Sequence, residues 1–251
     1  PLFSKELETI RGCNRELKKF KTGSFLVMQQ RNGDIGGNPL MILIDYACMT
    51  LFIDLLKFNH MLMVVRSNLE TIESCLQIIG SLETDISIAL YRASLVNGYC
   101  IPDFEGRDIC AEKCYHPLLT DPVKNSISHA GNVLLTGSNA SGKSTFLKTI
   151  GINALFAQTI HTCCADRFQT CFYEVVSSMS LRDSISGGDS YYIAEIKAIK
   201  RIFEKIQQAK SDKVKILCFL DEVLRGTNTI ERIAGATQIL KEVAKTNSGC
   251  Y

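Results

Sequence analysis

The strongest chemical pattern in the sequence is a glycine-rich loop. Residues 137–144 read GSNASGKS, a full match to G-x-x-x-x-G-K-[ST]. In such a loop, backbone N–H groups turn toward phosphate oxygens, a lysine offers its charge to the β- and γ-phosphates, and a hydroxyl ligates Mg²⁺. The loop therefore predicts a nucleotide phosphate site, with Lys143 as the catalytic cation and Ser144 as a metal ligand. Its predicted nucleotide-binding residues are Gly137, Ser138, Asn139, Ala140, Ser141, Gly142, Lys143, Ser144 and Thr145.

Two adjacent carboxylates, Asp221 and Glu222, carry the second pattern. They follow the apolar run 216–220, ILCFL, which predicts a strand that is buried on both faces and ends at the carboxyl edge of a sheet. Asp221 is expected to hold Mg²⁺, mostly through water. Glu222 is expected to polarise a water for attack on the γ-phosphate, which favours hydrolysis over phosphoryl transfer to a bound substrate.

The elements that must position these residues are typical of an α/β fold. Residues 132–136, NVLLT, predict a short strand before the loop, and a helix is predicted from Thr145 onward. From about Tyr99, short β-like runs alternate with long helical runs. The first hundred residues instead show helical spacing, and the predicted helices are 4–21, 67–79 and 81–95, with a break at Gly80. We place a domain boundary near residues 101 and 102.

The loop and the carboxylate pair resemble the ATPase module of the MutS family, the DNA mismatch-repair ATPases and their relatives. Residues 136–145, TGSNASGKST, are similar to the family's TGPNMGGKST, and residues 221–229, DEVLRGTNT, are similar to DEIGRGTST. Ala157-Gln158 follows the loop helix as the family's AQ does. Residues 82–104 and 116–119 resemble the end of the family's lever helices and its lead into the ATPase. The resemblance covers most of residues 70–245.

The resemblance implies a P-loop NTPase domain of the ABC-ATPase-like type in residues 102–251, after a mainly helical core and lever-like region in residues 1–101. It implies ATP and Mg²⁺ as cofactors, a homodimer as the working form and DNA as a partner. A cytoplasmic location is expected from the cysteines, and no membrane partner is expected because carboxylates interrupt the apolar run 40–56. It also implies that a signature segment, residues 184–190, completes the partner's nucleotide site in trans. Gly188 and Ser190 match the family's SGRST pattern, whereas Ser186 lies one place early, so both hydroxyls stay candidates for the contact with the γ-phosphate.

A histidine of the family has no counterpart at the expected place. The family carries it in the strand after the helix that follows the carboxylate pair, where it senses the γ-phosphate. The four histidines of this sequence, at positions 60, 116, 129 and 161, all precede Asp221. The resemblance thus implies that the ATPase domain is truncated one strand short of that element, and poor turnover is expected if the molecule ends there.

Two other function classes stay open on the sequence. Residues 185–189, ISGGD, also resemble the signature of transporter and chromosome-structure ABC ATPases, although the interval from Lys143 to Ser186 leaves no room for the helical insertion of those proteins. The alternative is a non-catalytic module that binds ATP only as a dimerisation switch, which the missing histidine would suit. Nucleotide-release assays on dimeric protein distinguish that module from an enzyme.

Composition and charge limit the remaining function classes. Hydrophobic residues make up 46% and charged residues 22% of the chain, which excludes wholesale disorder. The net charge of +2 does not by itself predict a nucleic-acid partner. The basic clusters at 11–21 and 197–205 are interpreted as solvated helix faces, so DNA binding is implied by the resemblance alone.

Cysteines and one apolar run could suggest other sites. The 11 cysteines are interpreted as reduced thiols of a cytosolic protein. Cys110, Cys114 and His116 form C-x₃-C-x-H, but no second pair follows at finger spacing, so these cysteines are interpreted as small buried hydrophobes rather than zinc ligands. The apolar run 40–56 is interrupted by Asp45 and Asp54, which favours a helix buried in a soluble fold over a membrane span.

Overall fold

The computed structural model describes residues 4–21, 46, 50–128, 131–179, 191–212, 215–245 and 249–250. The chain divides into two compact units, Pro1–Ala89 and Leu90–Tyr251. The signature segment 184–190 and most of the apolar run 40–56 lie outside the described residues. The expected domain boundary at residues 101 and 102 stays a prediction.

Helices dominate the described part of the first unit. They are α1 (Ser4–Glu16), α2 (Lys18–Lys21), α3 (Ile53–Ser67) and α4 (Leu69–Ser94). The predicted break at Gly80 is wrong, because α4 runs through this glycine without interruption. One glycine costs a helix only about 1 kcal/mol relative to alanine, and the good helix formers around it offset that cost.

The expectation of a buried helix in the apolar run is not met where the structure describes that run. Leu55 and Leu56, at the start of α3, are both exposed. The buried hydrophobic side chains described in this unit are Cys13, Met61 and Cys75, the last with its thiol directed at the Thr9 carbonyl. None of the described helices combines the length and the apolar character that a membrane crossing requires.

An antiparallel sheet opens the second unit. Its strands β1 (Cys110–Cys114), β2 (Asn125–Ser128) and β3 (Arg167–Gln169) lie in the order β2-β1-β3. In the central strand, Ala111 is opposite Ile127 on one side and Phe168 on the other. The register of β1 against β2 shifts between Ala111 and Cys114, and Lys113 within this shift has a φ of +48°.

A parallel sheet follows, and three helices complete the unit. The strands β4 (Tyr173–Ser178), β5 (Lys215–Leu220) and β6 (Gly249–Cys250) lie in the order β4-β5-β6. The helices are α5 (Lys143–Ile160), α6 (Tyr191–Asp212) and α7 (Thr229–Ala244). In chain order α6 connects β4 to β5 and α7 connects β5 to β6, because parallel neighbours need a crossover.

The central strand β5 is buried on both faces, as its apolar run predicts. Leu217 and Phe219 pack into a core with α5 and the antiparallel sheet. Ile216 and Cys218 pack into a second core with α6, α7 and β6. A Cβ on Gly151 of α5 would lie 3.2 Å from the Phe219 ring, so the helix approaches the strand closely at this glycine. This packing fixes the end of β5, from which Asp221 follows.

The predicted strand at residues 132–136 is not a regular strand in the structure. The Val133 N–H donates to the Cys250 carbonyl at 2.7 Å, and the Asn132 side chain accepts from the Cys250 N–H at 3.0 Å and donates to the Val243 carbonyl at 3.1 Å. A strand needs a ladder of partners, and the described part of β6 offers only two residues. The segment before the phosphate loop is therefore hydrogen-bonded to β6 at its N-terminal end, through Asn132 and Val133.

Candidate active site

The phosphate loop leads directly into α5. Ala140 and Gly142 have φ values of +61° and +88°, and Gly142 is the N-cap residue, so the helix begins at Lys143. Glycine adopts this left-handed conformation freely, whereas an alanine pays roughly 1–2 kcal/mol for it. The first N–H groups of a helix have no intrahelical partners, and its N-terminus carries a positive partial charge. The loop thus ends at a helix start that suits an anion.

The ammonium group of Lys143 folds back over its own loop. Its Nζ donates to the Gly137 carbonyl at 2.8 Å and to the Ser138 carbonyl at 2.6 Å. A lysine ammonium has three donors, so these two bonds engage most of its capacity. A phosphate that binds here therefore competes with two backbone carbonyls for the same group.

The carboxylate pair follows β5 with an unusual backbone. The Asp221 N–H donates to the Ser178 carbonyl at 3.2 Å, which continues the pairing with β4 by one residue. Glu222 then has a φ of +47° and Leu224 a φ of +57°. The Glu222 carboxylate forms an ion pair with Arg225, with Oε2 and Nη1 2.9 Å apart and both side chains largely exposed. Left-handed angles at two non-glycine residues persist only where neighbouring contacts hold them.

Contacts from two helices hold this loop. From α6, the Glu195 carboxylate accepts from the backbone N–H of Arg225 at 3.2 Å and from that of Gly226 at 3.5 Å. From α7, the Arg232 Nε donates to the Val223 carbonyl at 3.2 Å. The side chain of Asn228 caps the start of α7 by accepting from the Glu231 N–H at 2.9 Å.

Two described cavities adjoin at Lys143. One, of about 540 Å³, is lined by Lys143 together with Asp221 and Glu222. The other, of about 770 Å³, lies between the phosphate loop and the segment around β2, and its lining includes Gly137, Ser138, Ser141, Gly142, Thr145 and Asn125. Ser144 is half-buried in the first turn of α5, and Asn139 and Ala140 are exposed. The structure thus brings the lysine and the two carboxylates to one cavity.

Comparisons with known proteins identify the family of this site. Residues 133–250 match the family model of MutS domain V, a range that contains the phosphate loop and the carboxylate pair. The DNA mismatch repair protein MutS of Thermosipho melanesiensis is 31% identical over 176 residues, which are 67% of this chain and 21% of that protein. MutS of Thermotoga petrophila is 34% identical over 174 residues, 66% of this chain and 21% of that protein. MutS of Thermus thermophilus is 28% identical, with 67% and 20% covered.

The chain belongs to the MutS family. It spans about a fifth of the length of the curated relatives it matches. The predicted MutS resemblance is therefore confirmed, and the mixed α/β structure of residues 133–250 is that of a MutS domain V. Ser186, Gly188 and Ser190 of the predicted signature lie outside the described residues, so their role stays a prediction.

His116 lines the larger cavity as a neutral side chain. Burial, together with the positive charge of Lys148, lowers its pKa below the ordinary value of 6.5. Its Nδ1 accepts the Leu118 N–H at 3.2 Å, which requires that nitrogen to be unprotonated. In the neutral ring the proton is then on Nε2, so this imidazole can donate one hydrogen bond to a ligand but does not add a second cation beside the phosphate loop.

Two residues of the site were not predicted from the sequence. Glu195 lies on the buried face of α6, together with Ala198, Ile199, Ile202 and Ile206. A single carboxylate among apolar residues at helical spacing could have predicted from the sequence that Glu195 has a specific hydrogen-bond partner. Arg225 stands three residues after Glu222, and such spacing permits an ion pair but does not require one.

The cysteine pattern does not form a metal centre in the described part of this chain. No group of three or more His, Cys, Asp or Glu side chains there could hold a metal ion. Cys114 is buried in the core beside α5, and burial raises the pKa of its thiol to about 12. A thiol that stays protonated at neutral pH is a poor metal ligand.

Proposed function

We propose that this chain binds ATP with Mg²⁺ and hydrolyses it, as the ATPase module of a MutS-like DNA mismatch repair protein. The observation that carries the proposal is the cavity shared by Lys143, Asp221 and Glu222. A cation for the phosphates, a carboxylate that can hold Mg²⁺ and a carboxylate that can act as a base are the groups that phosphate-bond hydrolysis requires. The relatives are named DNA mismatch repair proteins, and we extend that role and a dimeric, DNA-bound clamp to this chain.

Lys143, the backbone of the phosphate loop and Glu222 each have a separate role in the proposed hydrolysis. Lys143 leaves the carbonyls of Gly137 and Ser138 and donates to the β- and γ-phosphate oxygens. The backbone N–H groups of the loop and the first turn of α5 accommodate the remaining phosphate charge. Glu222 accepts a proton from a water as its oxygen attacks the γ-phosphorus, and the bond from that phosphorus to the β–γ bridging oxygen breaks. The products are ADP and inorganic phosphate.

The donor set fits a magnesium ion. Ser144 offers a hydroxyl in the first turn of α5, and Asp221 offers a carboxylate directly after β5. Both are oxygen ligands and both are half-buried, which agrees with the preference of Mg²⁺ for one or two protein oxygens beside phosphate and water. When bound, the ion would neutralise charge on the phosphates.

Two substitutions test the proposal together. Lys143→Ala should weaken ATP binding by more than tenfold, which corresponds to about 1.4 kcal/mol, because the loop loses its fixed positive side chain. Glu222→Gln should keep ATP affinity and lose hydrolysis, because an amide cannot act as a base. Calorimetry with ATP and a phosphate-release assay measure the two effects.

The outcomes separate the function classes. Unchanged ATP affinity in Lys143→Ala would overturn the nucleotide site. Equal losses of affinity in Glu222→Gln and Lys143→Ala would give Glu222 a structural role. If the unmodified chain binds ATP tightly and dimerises but releases no phosphate, the non-catalytic dimerisation module is the better description.

A further inference from the structure

Glu195 is an unusual side chain within the second unit. Among the residues that the structure describes, it is the one charged side chain that is buried, with 3% of its surface exposed. It lies on α6, where the next residues of the same face are apolar and form the core with β5. A buried carboxylate is costly unless its oxygens receive hydrogen bonds. The position therefore needs an explanation other than packing.

The partners of Glu195 are two consecutive backbone N–H groups rather than a cation. Oε1 accepts from Arg225 at 3.2 Å and Oε2 accepts from Gly226 at 3.5 Å. Hydrogen bonds from N–H groups to a carboxylate are stronger than those between neutral groups. One side chain of α6 thus forms hydrogen bonds with the backbone of two adjacent residues in the loop that follows β5.

This loop is the one that holds Glu222 in place. Glu222 and Leu224 have left-handed backbone angles, and such angles are kept only by surrounding contacts. The bonds of Glu195 begin at Arg225, three residues after Glu222 and one after Leu224. Arg225 is also the ion-pair partner of the Glu222 carboxylate. Fixing the backbone of Arg225 therefore fixes both the strained turn and the cation that orients Glu222.

We infer that Glu195 is a positioning residue for ATP hydrolysis, which acts by holding the loop 221–226 so that Glu222 lines the cavity with Lys143. This inference rests on the proposed function. It assigns to Glu195 no contact with nucleotide and no proton transfer. Its effect should therefore be confined to the hydrolytic step, because the phosphate loop and α5 do not depend on Glu195 for any described hydrogen bond.

The test compares two matched substitutions on α6 in the full chain. In Glu195→Gln one oxygen can still accept an N–H, but the new NH₂ group opposes the other N–H. The control is Glu204→Gln, which removes an exposed carboxylate that pairs with Lys200 across one helical turn. We expect kcat to fall about 10- to 100-fold in Glu195→Gln, on the scale of a lost hydrogen bond to a charged group. The dissociation constant and binding stoichiometry for ATP should stay within about twofold of the unmodified chain, a change worth less than 0.5 kcal/mol. Glu204→Gln should change neither.

The split between kcat and ATP binding separates positioning from loss of structure. A variant that is partly unfolded would lose ATP stoichiometry in calorimetry in the same proportion as activity, and that result would overturn the inference. If Glu195→Gln does not fold, Glu195→Asp replaces it, because it keeps the charge but withdraws the carboxylate by one methylene. Full kcat in either folded variant overturns the inference. Rapid hydrogen exchange of the Arg225 and Gly226 amides in the unmodified chain would also overturn it.

Failure of the proposed function has a different signature. In that case the unmodified chain itself releases no phosphate from ATP. The hydrogen-exchange measurement then still decides whether Glu195 holds the loop.

Discussion

Two residues with left-handed backbone angles belong to the two motifs of the candidate site. Ala140 lies in the phosphate loop, and Glu222 lies directly after Asp221. Each angle costs of order 1–3 kcal/mol in a residue with a side chain. Among the described hydrogen bonds, those that reach the loop after Glu222 come from two other elements, through the side chains of Glu195 and Arg232. The backbone at Glu222 is therefore held by side chains distant in the sequence.

At the same scale, His116 makes stability depend on pH. Its pKa is lowered in the folded chain, so the unfolded chain binds the proton more tightly. The free energy of unfolding should therefore fall as the pH drops through 6.5, the ordinary pKa of histidine. Urea unfolding at pH 7.5 and at pH 5.5 should show a smaller difference in His116→Gln than in the unmodified chain.

Lys148 provides the control for this pH dependence. Its charge is the second cause of the lowered pKa of His116, after burial. Lys148→Met should move that pKa back toward 6.5 and reduce the pH dependence without abolishing it. Identical pH dependence in the unmodified chain and in His116→Gln would contradict the assignment.

The sequence predicts the residues of the site better than their contacts. The loop pattern and the pair Asp221-Glu222 follow from motif chemistry, and the structure brings Lys143 and both carboxylates to one cavity. The return of Lys143 to its own loop carbonyls could not be predicted, because a motif describes the chain with its phosphate bound. The contact of Glu195 with Arg225 joins residues 30 positions apart, so it depends on how α6 packs.

At the scale of elements, two helical glycines differ in what surrounds them. At Gly80 of α4 an added Cβ would meet no atom within 4 Å, whereas at Gly235 of α7 it would overlap the Cδ1 of Leu224. Gly80→Ala should therefore raise the free energy of unfolding by about 0.5–1 kcal/mol through helix propensity. Gly235→Ala should lower it by about 1–3 kcal/mol, because the buried Leu224 must shift in a packed site.

Each substitution is the control for the other, because both add one methyl group to a helix. Chemical denaturation followed by circular dichroism measures both changes. Changes of the same sign would mean that contact with Leu224 does not decide the effect. If Gly80→Ala lowers the free energy of unfolding, the added methyl group must clash with another residue near α4.

Sequence patterns specify elements where local composition and packing agree. β5 is predicted well because its five apolar residues can be satisfied only by a strand covered on both faces. The segment 132–136 has three apolar residues between Asn132 and Thr136. It does not form a regular strand, because strand pairing depends on a neighbour distant in the chain. The break predicted at Gly80 fails for the opposite reason: the flanking residues favour a helix strongly enough to include the glycine.

At the scale of the whole molecule, the predicted signature segment concerns a second copy of the chain. We expect ATP to bind at the phosphate loop of one protomer and to meet Ser186, Gly188 and Ser190 of its partner. A trans arrangement can be tested by mixing two inactive variants, Lys143→Ala and the double variant Ser186→Ala with Ser190→Ala. In mixed dimers one of the two sites regains an intact loop and an intact signature, so hydrolysis should partly return.

The mixing experiment needs a measurement of assembly beside that of activity. Both variants should form dimers in analytical ultracentrifugation with ATP present. If they dimerise and exchange subunits but mixing restores no hydrolysis, the trans arrangement is wrong. Full activity of a strictly monomeric form would contradict it as well.

The inward fold of the Lys143 side chain has a calorimetric consequence. Its ammonium donates to two carbonyls at 2.8 and 2.6 Å. We expect phosphate binding to exchange this pair of charge-assisted bonds for another, so the heat released at this lysine should be only the difference between the two pairs. The enthalpy lost in Lys143→Ala should accordingly be smaller than two newly formed bonds would give. The same substitution removes the donor to the Gly137 and Ser138 carbonyls, so we expect the loop itself to become more mobile.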